Sequence, residues 1–344
     1  MWGHKPRKLI DYQRVKSITY NSNSQLKIHN SKMYHSPVLL KESVDALQIA
    51  PNGVYVDVTF GGGGHSSEIL SRLSNEGKLF SFDQDDDAIA NAHTLTEKII
   101  NDKTDINFHK NFTFIALNFK DLGNGLARFG ITEVDGILAD LGVSSHQFDT
   151  PMRGFSTRFD APLDMRMNQN IAITAEEIIN NYPEKKLHKI FELYGEVKNA
   201  KTLANAIIST RLRKRIVTTE DLKDILNKFT PQKTAHKYHA QVFQALRIEV
   251  NEEMKVLEEM LLQTADLLKI GGKLVVLSYH SLEDRLVKNF IQKGKFEGEV
   301  EKDFFGNELK PFKNLTKKPL EPSSEEISTN SRARSAKMRV AEKL

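Results

Sequence analysis

From Val54 onward the chain alternates short apolar runs of period two with longer stretches whose apolar residues recur every third or fourth position. That is the pattern of a parallel sheet wrapped by helices. Val54, Val56 and Val58 form the first expected strand, which runs out into the glycines Gly61 to Gly64. Lys78–Asp85, Phe112–Phe119 and Val134–Gly142 read as the second, third and fourth.

The alternation then stops, and between Asp149 and Ala240 the signals are helical. Thr174 with Glu177 forms a capping box, Pro183 suits a first helical position, Gly195 can end that helix and Thr218 opens another. One long helix is expected next, with Leu246, Val250, Leu257, Leu261, Ala265 and Leu268 along one side and Gly271 and Gly272 at its end. Lys273–Ser281 reads as a fifth, buried strand; Ser281 with Asp284 would cap the helix beyond it, and Ala336–Lys343 would add a strand at the sheet edge. The expected organisation is a discontinuous sheet domain, 33–148 and 240–344, interrupted by a helical insertion, 149–239, and preceded by a tail, 1–32.

Composition narrows the chemistry. Forty-nine Lys and Arg against 45 Asp and Glu give a net charge of +4, which permits a polyanionic partner without demanding one. There is no cysteine, which excludes disulfides, a thiol nucleophile and thiolate-held metal, and fits a reducing cytoplasm. No apolar stretch approaches the roughly 18 residues of a membrane span. Met1–Lys32 is basic and rich in Ser and Asn, with Asp11 its only acid, a composition shared by transit peptides, disordered tails and sequence upstream of a true start; a disordered tail is expected.

In an open parallel sheet, ligands bind beyond the carboxyl ends of the strands, and the first strand-to-helix turn carries glycines that admit the ligand to the backbone. Gly61 to Gly64 occupy that turn, although a bare structural turn has the same sequence, and no Gly-Lys-Ser/Thr follows to make a P-loop. Asp83 ends the second strand about 20 residues on, where a carboxylate accepts hydrogen bonds from both ribose hydroxyls of an adenosine ligand; the alternative is a turn acid in "DQDDD". A nicotinamide dinucleotide and S-adenosylmethionine fit equally to this point. Asp140, emerging from the fourth strand into "DLGVSSHQFD", is either a cap for the next turn or the acid that holds an amine against a sulfonium methyl.

The chain resembles the bacterial small-subunit ribosomal RNA (cytosine-N(4))-methyltransferases. The matching stretches run in order from His35 to Val340: "HSPVLLKESVDAL", "DVTFGGGGHS", "DLGVSSHQFD", "RGFS", "PLDMRM", "VFQALRIEVNEE", "LSYHSLEDRLVK" and "NSRARSAKMRV". The resemblance implies an α/β fold, a Rossmann-like class I methyltransferase sheet with an inserted all-helical domain for substrate recognition. It implies transfer of a methyl group from S-adenosylmethionine to the exocyclic amine of a cytidine in 16S ribosomal RNA, free or in the assembled subunit, by a protein that works off the membrane and is open to homodimerisation. A nicotinamide-dependent oxidoreductase and a non-catalytic RNA-binding assembly factor are the rival classes.

Residue by residue, the resemblance implies that Gly63, Gly64 and His65 line the cofactor, Asp83 holds its ribose, Phe119 packs near adenine, and Asp140 and Gln147 complete the methionine end beside the incoming base. His65 has a plain alternative as a helix-entry residue. Arg153, Phe155, Asp164 and Arg166 in "RGFSTRFDAPLDMRM" are candidates to read an unstacked cytosine, with Phe155 equally suited to a core. Arg247 and His280 are further RNA candidates, and Arg332, Arg334, Lys337 and Arg339 read as phosphate contacts or plain charged surface. The chain departs from the family pattern at Thr157, Ala161 and Lys237–Gln241, where an arginine and a proline are missing. His236 and His239 lack companion ligands, and no metal is expected.

Overall fold

The computed structural model describes residues 37–101, 111–230 and 232–344; the tail 1–32 lies outside them. Seven strands form one sheet: β1 (Val54–Asp57), β2 (Lys78–Phe82), β3 (Phe112–Ile115), β4 (Val134–Asp140), β5 (Leu268–Ser278), β6 (Phe312–Asn314) and β7 (Lys337–Lys343), in the order β3-β2-β1-β4-β5-β7-β6. The pairings from β3 through β5 are parallel, and β7 runs antiparallel to both of its neighbours. β7 is therefore inside the sheet rather than at its edge: the short strand β6, with Phe312 wholly buried, covers it.

The period-two pattern sorts onto two faces. Val56, Phe80, Ile137, Leu274 and Val276 point into one core, with Leu257, Met260 and Leu261 of α11 (Glu253–Leu267) and Phe290 of α12 (Ser281–Lys293). Their neighbours Tyr55, Leu79, Leu138, Val275 and Leu277 point into the other, with Leu70 of α2 (Gly64–Leu70) and Val44 of α1 (Leu40–Ala46). Burial on both faces explains why these strands are nearly all apolar.

A third cluster belongs to the helices α6 (Ala175–Asn181), α7 (Glu184–Leu193), α8 (Ala200–Arg211), α9 (Thr219–Leu226) and α10 (Ala235–Asn251), around Ile178, Leu187, Phe191, Leu203, Ile207, Leu222 and Phe243. Thr174 and Thr218 accept hydrogen bonds at the starts of α6 and α9, where sequence places caps. The expected boundary at residue 239 falls inside α10, and that helix gives Val242, Phe243, Leu246 and Val250 to the insertion's core.

The single long helix expected across Leu246–Leu268 is instead two. Glu252 takes a left-handed conformation, φ 50°, between α10 and α11, and the turn sends Leu246 and Val250 to the helical core while Leu257 and Leu261 reach the sheet. Neither glycine nor proline marks this break in the sequence. Gly271 and Gly272 do not end a helix either. Leu268 already belongs to β5, and the two glycines sit where the β4–β5 register shifts between the Val134–Leu268 and Gly136–Lys273 pairs, with Gly271 at φ 81°. Among the described residues no helix is long and apolar enough to cross a membrane.

Candidate active site

The chain moves outward from β1 to β2 and β3, then returns to β4 on the other side of β1, so the strand order reverses between β1 and β4. Such a switch point opens a crevice at the carboxyl ends of the strands. The glycine turn lies on it. Gly61 and Gly63 have φ of 52° and 77°, a region where glycine carries no Cβ penalty. At Gly63 a Cβ would also stand 2.7 Å from the Phe60 ring, and at Gly64 it would stand 2.2 Å from Pro37 Cγ, so packing also enforces these two glycines. A Cβ on Gly61 would meet nothing within 4 Å, which leaves open space beside the loop.

Asp83, just past β2, fastens that loop. Its Oδ2 accepts the Gly61 N–H at 2.8 Å and its Oδ1 the Asp85 N–H at 3.0 Å. A carboxylate has about four acceptor positions, so it keeps capacity for two ribose hydroxyls. Burial pushes its pKa up to about 6, against the pull of the backbone N–H groups of Asp85, Gly61 and, least, Gln84. Protonation would turn one of those acceptor positions into a donor, so a pair of hydroxyl donors favours the ionised form. Cofactor affinity is therefore expected to be flat above pH 7 and to weaken about tenfold per unit as pH falls below 6, in titration calorimetry. Unchanged affinity down to pH 5 would remove Asp83 from the ligand.

Asp140 ends β4. Its N–H donates to Thr59 Oγ1 at 2.7 Å, and its Oδ1 accepts the Tyr279 hydroxyl at 2.6 Å. Its Oδ2 has His65 Nδ1 at 3.7 Å, beyond hydrogen-bonding distance, and among the described residues the buried His65 Nε2 has no partner. Beneath them the wholly buried Asp57 accepts from Ser66 Oγ at 2.6 Å and Thr59 N–H at 3.1 Å. Burial raises the pKa of Asp57 and of Asp140, and the charge of His65 opposes both shifts. Tyr279 and Asp57 are absent from the sequence-based candidates. An acid inside the apolar run "VYVDV" is the signal that marks Asp57; Tyr279 is marked only by following β5 at the same rim as Asp140.

Gln147 sits one layer away. It closes a capping box with Ser144 at the start of α5 (Ser145–Asp149), and its Nε2 reaches Asp85 Oδ2 at 2.5 Å. Asp85 is 5% exposed and is held by Arg153 Nη2 at 2.6 Å; Arg153, 4% exposed, also donates to the carbonyls of Arg166 and Met167. Phe119, expected at the end of the third strand, instead opens a short 3-10 turn four residues past the end of β3, and packs half-buried against the main core.

The structure does not gather the RNA candidates around Asp140 with free donors. Phe155 is a core residue of the helical cluster, 4% exposed. Arg166 forms a two-point pair with Asp164, and Arg247 does so with Glu253, at 2.7 Å through each nitrogen. His280, not Ser281, caps α12, in a box with Glu283. Asp284 accepts from Arg339, which is 6% exposed, so neither is a surface charge. Arg332 donates to Asp149 at 2.7 Å and, more than any other group, holds that carboxyl down at about 2. Arg334 is exposed.

A seven-stranded sheet of this order with its one antiparallel insertion, a glycine turn, an acid just past β2 and an acid ending β4 define a Rossmann-like class I methyltransferase. A profile of the MraW methylase family matches residues 32–344, and the chain belongs to that family. It is 55% identical over 90% of its length to the whole of the ribosomal RNA small subunit methyltransferase H of Cytophaga hutchinsonii. It is 58% identical, over 89% of its length and all of the relative, to the protein of that name in Flavobacterium psychrophilum. With the one in Bacteroides fragilis it shares 53% over 90% of this chain and 97% of the other.

Proposed function

We propose that this chain transfers the methyl group of S-adenosylmethionine to the N(4) amine of a cytidine in small-subunit ribosomal RNA, in the cytoplasm. One observation carries the chemistry: Asp140 presents a carboxylate whose Oδ1 is engaged by Tyr279 and whose Oδ2 accepts no hydrogen bond among the described residues, beside the glycine turn. The family membership and the relatives' names support the substrate class.

The open space beside Gly61, the spare acceptor positions of Asp83 and the unpartnered His65 Nε2 fit an adenosyl ligand. Gly63, Gly64, His65, Asp83, Phe119, Asp140 and Gln147 would surround it, Gln147 acting through Asp85. When bound, the cofactor supplies an electrophilic methyl on a sulfonium. Asp140 Oδ2 accepts a hydrogen bond from the cytosine amine, turns its lone pair toward that carbon and takes up the proton released as nitrogen gains the methyl. Positioning of this kind supplies most of the acceleration in an in-line transfer.

Of the arginines expected at RNA, Arg334 is the one exposed and without an acidic partner among the described residues, which makes it the first phosphate contact to test; Phe155 is taken up by the helical core, and Arg153, Asp164, Arg166, Arg247 and His280 by ion pairs within the fold. The test is methyl-labelled cofactor supplied with unmodified small subunits and, separately, with their protein-free RNA, followed by nucleoside mass spectrometry. Label in N(4)-methylcytidine is expected, and label in any other nucleoside overturns the reading. The two substrates together decide whether the assembled subunit is required.

A further inference from the structure

Asp140 faces four ionisable groups: His65 from α2, Asp57 from β1, Tyr279 just past β5 and Glu283 from α12. Tyr279 is the one in hydrogen-bonding contact, 2.6 Å from Oδ1. Its backbone is clamped as firmly as its hydroxyl. Glu283, 2% exposed, accepts the Tyr279 N–H at 2.8 Å and the His280 N–H at 3.3 Å, while His280 Nδ1 takes the Glu283 N–H at 3.4 Å. Glu283 stays ionised despite burial because His280, and more weakly Arg247, pull its pKa down. The turn "SYHSLED" is thus a brace with one outward product, a phenol aimed at the carboxylate that ends the neighbouring strand.

The geometry points to Tyr279 as the positioning residue of the methyl-acceptor site: its hydroxyl occupies Asp140 Oδ1, fixes the carboxylate plane and leaves Oδ2 as the acceptor for the amine. This rests on the assignment of Asp140 proposed above. A phenol O–H bonded to a partly buried carboxylate stabilises the ionised form, the state that orients an amine and receives its proton. Burial lifts Asp140's pKa and Tyr279 opposes that shift; Tyr279's own pKa is raised well above its usual value, first by burial and then by Asp140, so it stays a donor.

Tyr279→Phe keeps the ring and deletes the donor. The acid limb of its kcat/KM profile is expected to move up by about one pH unit, so that the rate near that limb falls about tenfold, while cofactor affinity changes less than about twofold. Site-specific 3-fluorotyrosine at 279, a more acidic donor, is expected to move the same limb down; it preserves the packing and decides the matter where Tyr279→Phe fails to fold. A limb that stays put in the fluorinated protein overturns the proposal, as does a Tyr279→Phe loss equal at every pH. Asp140→Asn is run alongside: if it keeps parental activity, the Asp140 assignment has failed, whereas an inactive Asp140→Asn with an unmoved limb in the Tyr279 variants discards Tyr279 alone.

Discussion

Asp140→Asn is expected to lower single-turnover methyl transfer by about 10²- to 10⁴-fold at saturating cofactor, the range for removing a positioned proton acceptor. The substitution is close to isosteric, and an amide oxygen can still accept the Tyr279 hydroxyl and leave the Thr59 contact in place. Cofactor affinity should therefore change by less than about tenfold, the scale of one neutral hydrogen bond. Stability should not fall. Burial raises the folded-state pKa of Asp140, so its ionised form weakens the fold increasingly as pH rises through that value. Asparagine has no charge to bury. The outcome at neutral pH is a protein that melts no lower than its parent, binds cofactor and transfers little. Activity within about tenfold of the parent would show that the amine finds its acceptor elsewhere.

How far such a site is legible in sequence depends on the distance over which its chemistry is arranged. Strand ends read well: apolar alternation runs into Gly61, Asp83 and Asp140, and the structure brings these three to one crevice because parallel strands end on the same side. Partners from separate strands do not read. Asp140 meets Tyr279 across 139 positions of chain, and only the adjacency of β4 and β5 makes them neighbours. The arginines show the same limit. In isolation "RGFS" and "DMRM" look like cations on offer, yet Arg153 finds Asp85 across 68 positions. Arg247 and Glu253 are only six positions apart, but the left-handed Glu252 that turns one toward the other leaves no glycine or proline to announce itself. β7 read correctly as a strand, while its place inside the sheet depended on the short β6, whose three residues carry too little pattern to be seen.

Arg153→Ala is the variant expected to cost most stability. Asp85 is 5% exposed and its Oδ2 accepts from both Arg153 and Gln147; with the guanidinium gone, a buried carboxylate keeps only neutral donors, Gln147 Nε2 and the Asp87 N–H, and the carbonyls of Arg166 and Met167 lose their donor. Breaking a buried pair from one side typically costs about 3–5 kcal/mol, read here from the urea midpoint. An exposed phosphate-contact arginine would instead change stability by no more than about 0.5 kcal/mol and raise KM for RNA. The damage should also reach the cofactor without any change to a residue beside it. Asp85 gives its N–H to Asp83 Oδ1, and Asp83 holds the Gly61 turn, so a displaced Asp85 loosens the ribose acid and the glycine loop together. A stable Arg153→Ala protein with normal cofactor binding and weakened RNA binding would return Arg153 to the RNA surface; a destabilised one with weakened cofactor binding keeps it as the post under Asp83.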